Sequence, residues 1–216
     1  MFSSSIRSTS FRSVTKDFLL LTLFSISVYL FVSLKLHRID NPLMMDKDEQ
    51  EYYFYAGSLL RHQYIFDLRR PLVHVALIYF FRVITGDNLV ATRALAAAFF
   101  GLSGPLMYIL ARRFTGDVRF ALGIGLVTIL WPPFVYYGSS LYSEATALPL
   151  FILMLIAFPM GSLIASGGRD GWTAAGVAGI FLGSCMLVRP MYLIFSPFVA
   201  AILFLEEADW RTAARR

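Results

Sequence analysis

Residues 120–143 read FALGIGLVTILWPPFVYYGSSLYS, which is 24 positions without a charged side chain between Arg119 and Glu144. A stretch of this length and apolarity suffices to cross the hydrocarbon core of a bilayer, which takes about 20 residues of α-helix. Five further charge-free stretches of 16 to 24 residues occur at 18–34, 94–111, 145–168, 171–188 and 190–205. The pattern predicts an all-α integral membrane protein with about six transmembrane helices.

The composition of the whole chain leads to the same class of protein. Of its 216 residues, 57% are hydrophobic and 15% are charged, whereas a soluble globular domain carries about 25% charged residues. Too few charged side chains are present to cover a surface that faces water. A net charge of +5 would suggest a nucleic-acid partner for a soluble protein. In a membrane protein it fits loops beside anionic lipid, so membrane lipid is a predicted partner and nucleic acid is not.

The arginines and lysines predict an orientation, because cytoplasmic loops carry an excess of them. They collect in residues 1–17, at 112–119 and at 211–216. These three groups fall on one side of the membrane only if the 11-residue charge-free stretch at 71–81 does not cross it. The N-terminus is therefore predicted to be cytoplasmic. An N-terminal signal or transit peptide is the alternative, and the absence of a small-residue cleavage site after the first apolar stretch disfavours it.

The predicted organisation follows from this orientation. Residues 1–17 form a cytoplasmic segment, residues 18–205 a transmembrane bundle, and residues 206–216 a cytoplasmic tail. Within the bundle, residues 37–93 form one extracytoplasmic loop, which is far longer than a simple connection requires. Long loops of this kind usually carry function.

The core of this loop reads DKDEQEYYFYA at 46–56. On a helix, spacings of three and four place Asp48 and Tyr52 on one face, together with Glu51, Tyr55, Ala56 and Leu59. Aromatic residues are typical of helices at the membrane–water boundary. The segment therefore predicts an interfacial helix that holds an acidic head just outside the bilayer. The alternative is that its acids only hydrate a surface helix and complement its N-terminal dipole.

A second acid is expected on the same side. Glu144 is the only charged residue between Arg119 and Arg169, and the predicted topology places it at the outer boundary with Asp48. An ionisable side chain in so apolar a setting is costly and is a functional candidate by default. The alternative is that Glu144 and Ser143 cap the next helix.

Two arginines complete the candidate site. Arg70 precedes Pro71, and Arg189 precedes Pro190. Arginine suits bidentate contact with phosphate oxygens. The alternative is contact with lipid headgroups at helix ends. An acid can act as a general base or help to hold a divalent metal, and arginines can stabilise a phosphate leaving group. Such a site suits a reaction on a lipid phosphate.

The order and spacing of these residues resemble the integral-membrane glycosyltransferases of the C superfamily. The nearest types are the protein O-mannosyltransferases and the bacterial transferases that attach aminoarabinose to lipid A. The resemblance spans residues 18–205 and covers the N-terminal half of the family, whose members run to about twice this length. His74 departs from it, because an apolar residue or proline is common there, and Arg69 stands where the aminoarabinose transferases carry an acid. The matching positions are Asp48, Glu49, Tyr52, Ala56, Arg70, Pro71, Arg93, residues 113–119, Ser143, Glu144, residues 176–183, Arg189 and Pro190.

The resemblance implies a glycosyltransferase, or its N-terminal half, that transfers a sugar from a polyprenyl-phosphate donor to an extracytoplasmic protein or glycolipid acceptor. Asp48 would be the catalytic acid and Glu144 its partner, and both are candidate ligands for a divalent metal ion. A missing C-terminal half would be a further partner. The residues implied in substrate binding are Glu49, Tyr52, Arg70 and Arg189.

Two other classes of function compete with this reading. One is a non-catalytic membrane module, or a split subunit, that binds lipid phosphate or a partner membrane protein. The other is a transporter, which would place polar groups at the middle of the membrane beside broken helices. The charges gather at one face instead, which disfavours a transporter.

Overall fold

The computed structural model describes residues 11–35, 45–63, 70–157 and 169–197. Within these residues the secondary structure is entirely helical, so the all-α prediction is confirmed for the part of the chain that is described. The helices are α1 Phe11–Lys35, α2 Lys47–Leu60, α3 Leu72–Thr85, α4 Leu89–Gly101, α5 Ser103–Thr115, α6 Val118–Leu130, α7 Pro132–Gly138, α8 Ser143–Ala157, α9 Arg169–Val188 and a 3-10 helix Pro190–Phe195.

Two helical stretches are long and apolar enough to cross a membrane. They are Val14–Lys35 within α1 and Leu89–Thr115, which joins α4 and α5. A third exists if α6 and α7, which bend by 59° at their junction, count as one span. These helices are compatible with a membrane protein, and the total of six spans stays a prediction. The shorter apolar helices are Leu72–Ile84, Ser143–Ala157 and Gly176–Val188.

Several predicted segments lie wholly or partly outside the described residues. The tail at 206–216 is one of them, as are residues 1–10 of the N-terminal segment. The predicted loop at 37–93 is described at 45–63 and from 70 onwards, where it consists of α2, α3 and the start of α4. Its helical character is therefore observed there, and its position at a membrane surface stays a prediction.

The bend between α6 and α7 has a local cause. Trp131 has an extended backbone (φ −62°, ψ 119°) and precedes Pro132 and Pro133. A residue before proline is driven out of the helical region, and proline has no N–H to donate to the preceding turn. The apolar stretch at 120–143 is therefore two helices and not one straight span.

Helices α5 and α6 approach closely through glycine. A Cβ atom at Gly104 would lie 2.3 Å from Cγ1 of Ile129, and one at Gly125 would lie 3.2 Å from the carbonyl oxygen of Gly104. Small residues at such contacts allow helix backbones to pack tightly, as is common between membrane helices. This packing belongs to the first of two compact units, Met1–Pro149 and Leu150–Arg216.

Polar contacts fix both ends of α1. Near its start, Asp17 accepts a hydrogen bond from the Tyr108 hydroxyl (3.0 Å), which itself accepts one from Arg112 (2.6 Å). Near its end, Ser33 donates to the carbonyl oxygen of Ser139 (2.9 Å). Asp17 and Ser33 are about 24 Å apart along a helix that rises 1.5 Å per residue. The exposed apolar side chains between them are Leu19, Leu20, Leu23, Phe24 and Phe31.

Candidate functional site

Helix α2 begins with the acidic residues that the sequence marks, but it turns a different one towards the core. Asp48 and Glu49 lie in its first turn, where carboxylates complement the helix dipole. Glu49, Tyr52 and Ala56 are buried, and Asp48 is exposed. The spacing predicted that Asp48 shares a face with Tyr52. In the structure, Glu49 and not Asp48 is the acid that is buried on the same face as Tyr52.

The Glu49 carboxylate is 3% exposed and has partners from three parts of the chain. Its Oε1 accepts a hydrogen bond from the Leu141 backbone N–H (2.5 Å). Its Oε2 accepts one from the Asp46 backbone N–H (3.3 Å) and forms an ion pair with Arg93 (3.4 Å). A buried charge is tolerated only when it is paired and hydrogen-bonded, and these contacts supply both conditions. In this state Glu49 fastens α2 to α4 and to the segment before α8.

A second carboxylate, that of Asp46, meets the same segment. Its Oδ2 accepts hydrogen bonds from the hydroxyl groups of Tyr136 (3.0 Å) and Tyr142. The two tyrosine rings lie 5.8 Å apart, centroid to centroid. Burial and the hydrogen bond to Asp46 raise the pKa of the Tyr142 hydroxyl above its ordinary value. Asp46, Tyr136 and Tyr142 are absent from the predicted site residues, although tyrosines beside an apolar stretch are a recognisable boundary signal.

These contacts bring together the two acid-bearing segments that the sequence singles out, across about 90 positions of chain. We call residues 46–49 together with residues 139–144 the α2–α8 junction. Glu144 lies in it, half-buried in the first turn of α8, and accepts a hydrogen bond from the Ser143 hydroxyl (3.3 Å). Asp48 lies on its exposed side. Asp48 and Glu144 belong to the two ranges of the junction by this definition, and the contacts that join the ranges are those of Asp46 and Glu49.

Arg70 lies beside α2 at the start of α3. Its guanidinium forms an ion pair with Glu51, and its Cζ is 5.9 Å from the centre of the Tyr55 ring. The Arg70 side chain keeps 28% of its surface exposed. Arg189 follows α9 in the second unit, at the start of the 3-10 helix. Its role as a phosphate contact stays a prediction.

A buried arginine holds α2 against α3. The Arg82 guanidinium pairs with Asp87, donates to the Tyr53 carbonyl and lies 3.8 Å from the centre of the Tyr53 ring. A Cβ atom at Gly57 would lie 2.5 Å from Arg82 Nη1, so a larger residue there would have to displace the guanidinium. This contact fixes the pair of helices that carries Asp48 and Arg70. It was not predicted, because Tyr53 and Arg82 are 29 positions apart in sequence.

The predicted metal ligands can be compared with these contacts. Within the described ranges, no three His, Cys, Asp or Glu side chains are grouped to hold a metal ion. The carboxylate oxygens nearest the centre of the junction accept hydrogen bonds from backbone N–H groups and tyrosines. A divalent metal bound by Asp48 and Glu144 stays a prediction.

Comparisons with protein-family models, curated proteins and solved structures found no match to the chain. The class of protein is therefore described from the fold and the site alone. Where it is described, the chain is an all-helical protein with two or three helices able to span a membrane. It also carries an acid-rich junction between α2 and α8.

Proposed function

We propose that the chain is a membrane glycosyltransferase, or the N-terminal half of one, that transfers a sugar from a polyprenyl-phosphate donor to an extracytoplasmic acceptor. The α2–α8 junction is the observation that carries the proposal. It combines an exposed acid, Asp48, with a second acid, Glu144, and with tyrosines on an otherwise apolar helical scaffold. A site of this kind suits a donor that is anchored in lipid and an acceptor that arrives from water.

The orientation is supported by the contacts of α1. Arg112 lies at the end of α1 that holds Asp17, and Ser139 of the junction lies at the other end. The positive-inside rule assigns the arginine-rich end to the cytoplasm. The junction then faces the extracytoplasmic side, where lipid-linked sugars serve as donors in the families that the sequence resembles.

The proposed reaction is a single inverting displacement at the anomeric carbon. The acceptor hydroxyl oxygen attacks that carbon while Asp48 takes the hydroxyl proton as general base. The bond from the anomeric carbon to the phosphate oxygen breaks, and polyprenyl phosphate leaves with the bonding electrons. Arg70 stabilises the charge that develops on the phosphate. Glu144, the second acid, orients the acceptor in this scheme.

The topology can be tested with single cysteines. In a Cys185→Ala background, a cysteine at Lys47 is expected to react with an impermeant thiol reagent in intact cells. A cysteine at Arg119, which is also exposed, is expected to react only after the membrane is opened. Arg119 is a better position than Gly116, whose φ of 70° favours glycine. Labelling of both positions in intact cells would contradict the proposed orientation.

Donor binding can be tested through the ion pair of Arg70. Because Glu51 competes with a phosphate for the guanidinium, Glu51→Gln is expected to tighten binding of polyprenyl phosphate several-fold. Arg70→Lys is expected to weaken it about tenfold, since lysine cannot make the bidentate contact. Affinity is measured in nanodiscs, with neutral polyprenol as the control lipid. Equal binding by all three proteins would remove Arg70 from the phosphate site.

A further inference from the structure

Both backbone polar groups of Leu141 are held by side chains from other helices. Its N–H donates to Glu49 of α2, and its carbonyl oxygen accepts from Nε2 of His74 in α3 (2.9 Å). Leu141 itself is fully buried, and His74 is 2% exposed. The segment between α7 and α8 is therefore hydrogen-bonded at Leu141 to both α2 and α3.

The contacts of His74 determine its tautomer. A carbonyl oxygen can only accept, so Nε2 must carry a hydrogen to bond with Leu141. In the neutral ring Nδ1 then accepts, and its partner is the hydroxyl of Thr146 at 2.7 Å. The ring also meets Tyr52 edge to face, with centroids 4.9 Å apart. His74 thus spans from Leu141, two residues before α8, to the first turn of α8.

These two contacts bracket the catalytic candidate. Glu144 lies between Leu141 and Thr146, the two residues that His74 holds. The side chain that precedes it, Ser143, is buried as well. A change at His74 therefore acts on the path of the backbone that presents Glu144, and a purely apolar residue at position 74 could make neither hydrogen bond.

We infer that His74 is a positioning residue that, together with Glu49, fixes the Leu141–Thr146 segment and so places Glu144 at the junction. The geometric part of this inference stands on the contacts alone. Its catalytic part rests on the proposed function. It also gives a reason for histidine at a position where the resembled family has an apolar residue or proline: this chain holds its outer segment by side-chain hydrogen bonds.

Hydrogen exchange tests the geometric part without any need for activity. His74→Phe keeps an aromatic ring against Tyr52 but removes both hydrogen bonds. The Leu141 amide of the full chain in nanodiscs is then expected to exchange about tenfold faster, the effect of losing one net hydrogen bond. His74→Gln, whose amide nitrogen lies near the position of Nε2, is expected to restore most of the protection. Amides of α6 are the internal control and should not change.

Two outcomes would overturn the inference. One is unchanged exchange across residues 139–146 in His74→Phe, and the other is failure of His74→Gln to restore protection.

If His74→Phe does not fold, His74→Asn and Thr146→Val replace it. His74→Asn keeps a polar group near Nδ1 and lacks the contact to Leu141, so it should loosen the Leu141 amide. Thr146→Val removes only the hydroxyl and should loosen the first turn of α8. Unchanged exchange in both variants would equally overturn the inference.

Sugar transfer tests the catalytic part. His74→Phe is expected to lower kcat about tenfold or more with little change in KM for the lipid donor, and His74→Gln is expected to recover it. Faster exchange, together with no transfer by the complete enzyme, would uphold the positioning role and reject the proposed function. Normal transfer by His74→Phe would reject the positioning role and leave the proposed function standing.

Discussion

Asp48→Asn is expected to lower sugar transfer by about 10²–10⁴-fold, the usual effect of removing a general base. Asparagine has nearly the same shape as aspartate, but it cannot take the proton of the acceptor hydroxyl. Because Asp48 is exposed, the substitution should leave expression, folding and donor binding unchanged. Transfer is measured from a labelled polyprenyl-phosphate sugar in membranes that contain the complete enzyme.

Lys47→Gln is the matched control for this experiment. Lys47 is the neighbouring residue, is also exposed and also loses one charge in the substitution. Its transfer rate should stay within a few-fold of the original. Near-full activity of Asp48→Asn would show that Asp48 is not the base, and α2 would then be an interfacial helix with solvated acids.

Glu49→Gln is expected to lower the free energy of unfolding by about 3–5 kcal/mol, the usual penalty for removing one member of a buried ion pair. The glutamine amide would face the Arg93 guanidinium and the Asp46 N–H, which are both donors. Arg93 would stay buried and would lose the charge of Glu49. The measurement is denaturant unfolding in micelles, with Asp48→Asn as the reference that should not change stability.

The double variant Glu49→Gln/Arg93→Met separates charge from packing. Removing both members of the pair also removes the charge of Arg93, so the double variant should be more stable than Glu49→Gln alone. Two adjacent acids would then have distinct roles, with Glu49 in the fold and Asp48 in the chemistry. Unchanged stability in Glu49→Gln would mean that the buried pair contributes little.

The sequence was sufficient to identify α2 and the helical class, but not which of two adjacent acids is buried. Asp48 and Glu49 fit the helical spacing to Tyr52 about equally well. The partner that decides between them is the Leu141 N–H, a backbone group 92 positions away that no side-chain pattern reveals. The spacing groups Asp48 with Tyr52, and the structure buries Glu49 beside Tyr52 while Asp48 stays exposed.

The length of a charge-free stretch also underestimates the length of a helix when the charged residue that ends the stretch is paired. The stretch at 71–81 ends before Arg82, yet α3 continues to Thr85. Arg82 is buried and neutralised by Asp87, so the helix extends past it and ends at Gly86. Gly86 has a φ of 63°, the left-handed conformation typical of a glycine after a helix. The break at 131–133 has a purely local cause, because Pro132 and Pro133 cannot continue the preceding helix.

Photo-crosslinking with a diazirine-bearing polyprenyl phosphate in native membranes would locate the lipid-phosphate site. We expect adducts in residues 45–60, 70–85 and 136–146, which neutral polyprenol of the same length should not reproduce. Excess unlabelled polyprenyl phosphate should compete for them, and Arg70→Lys should reduce them. Adducts spread over the apolar faces of α1 and α9, equal for the phosphate and the neutral lipid, would contradict a lipid-phosphate site at the α2–α8 junction.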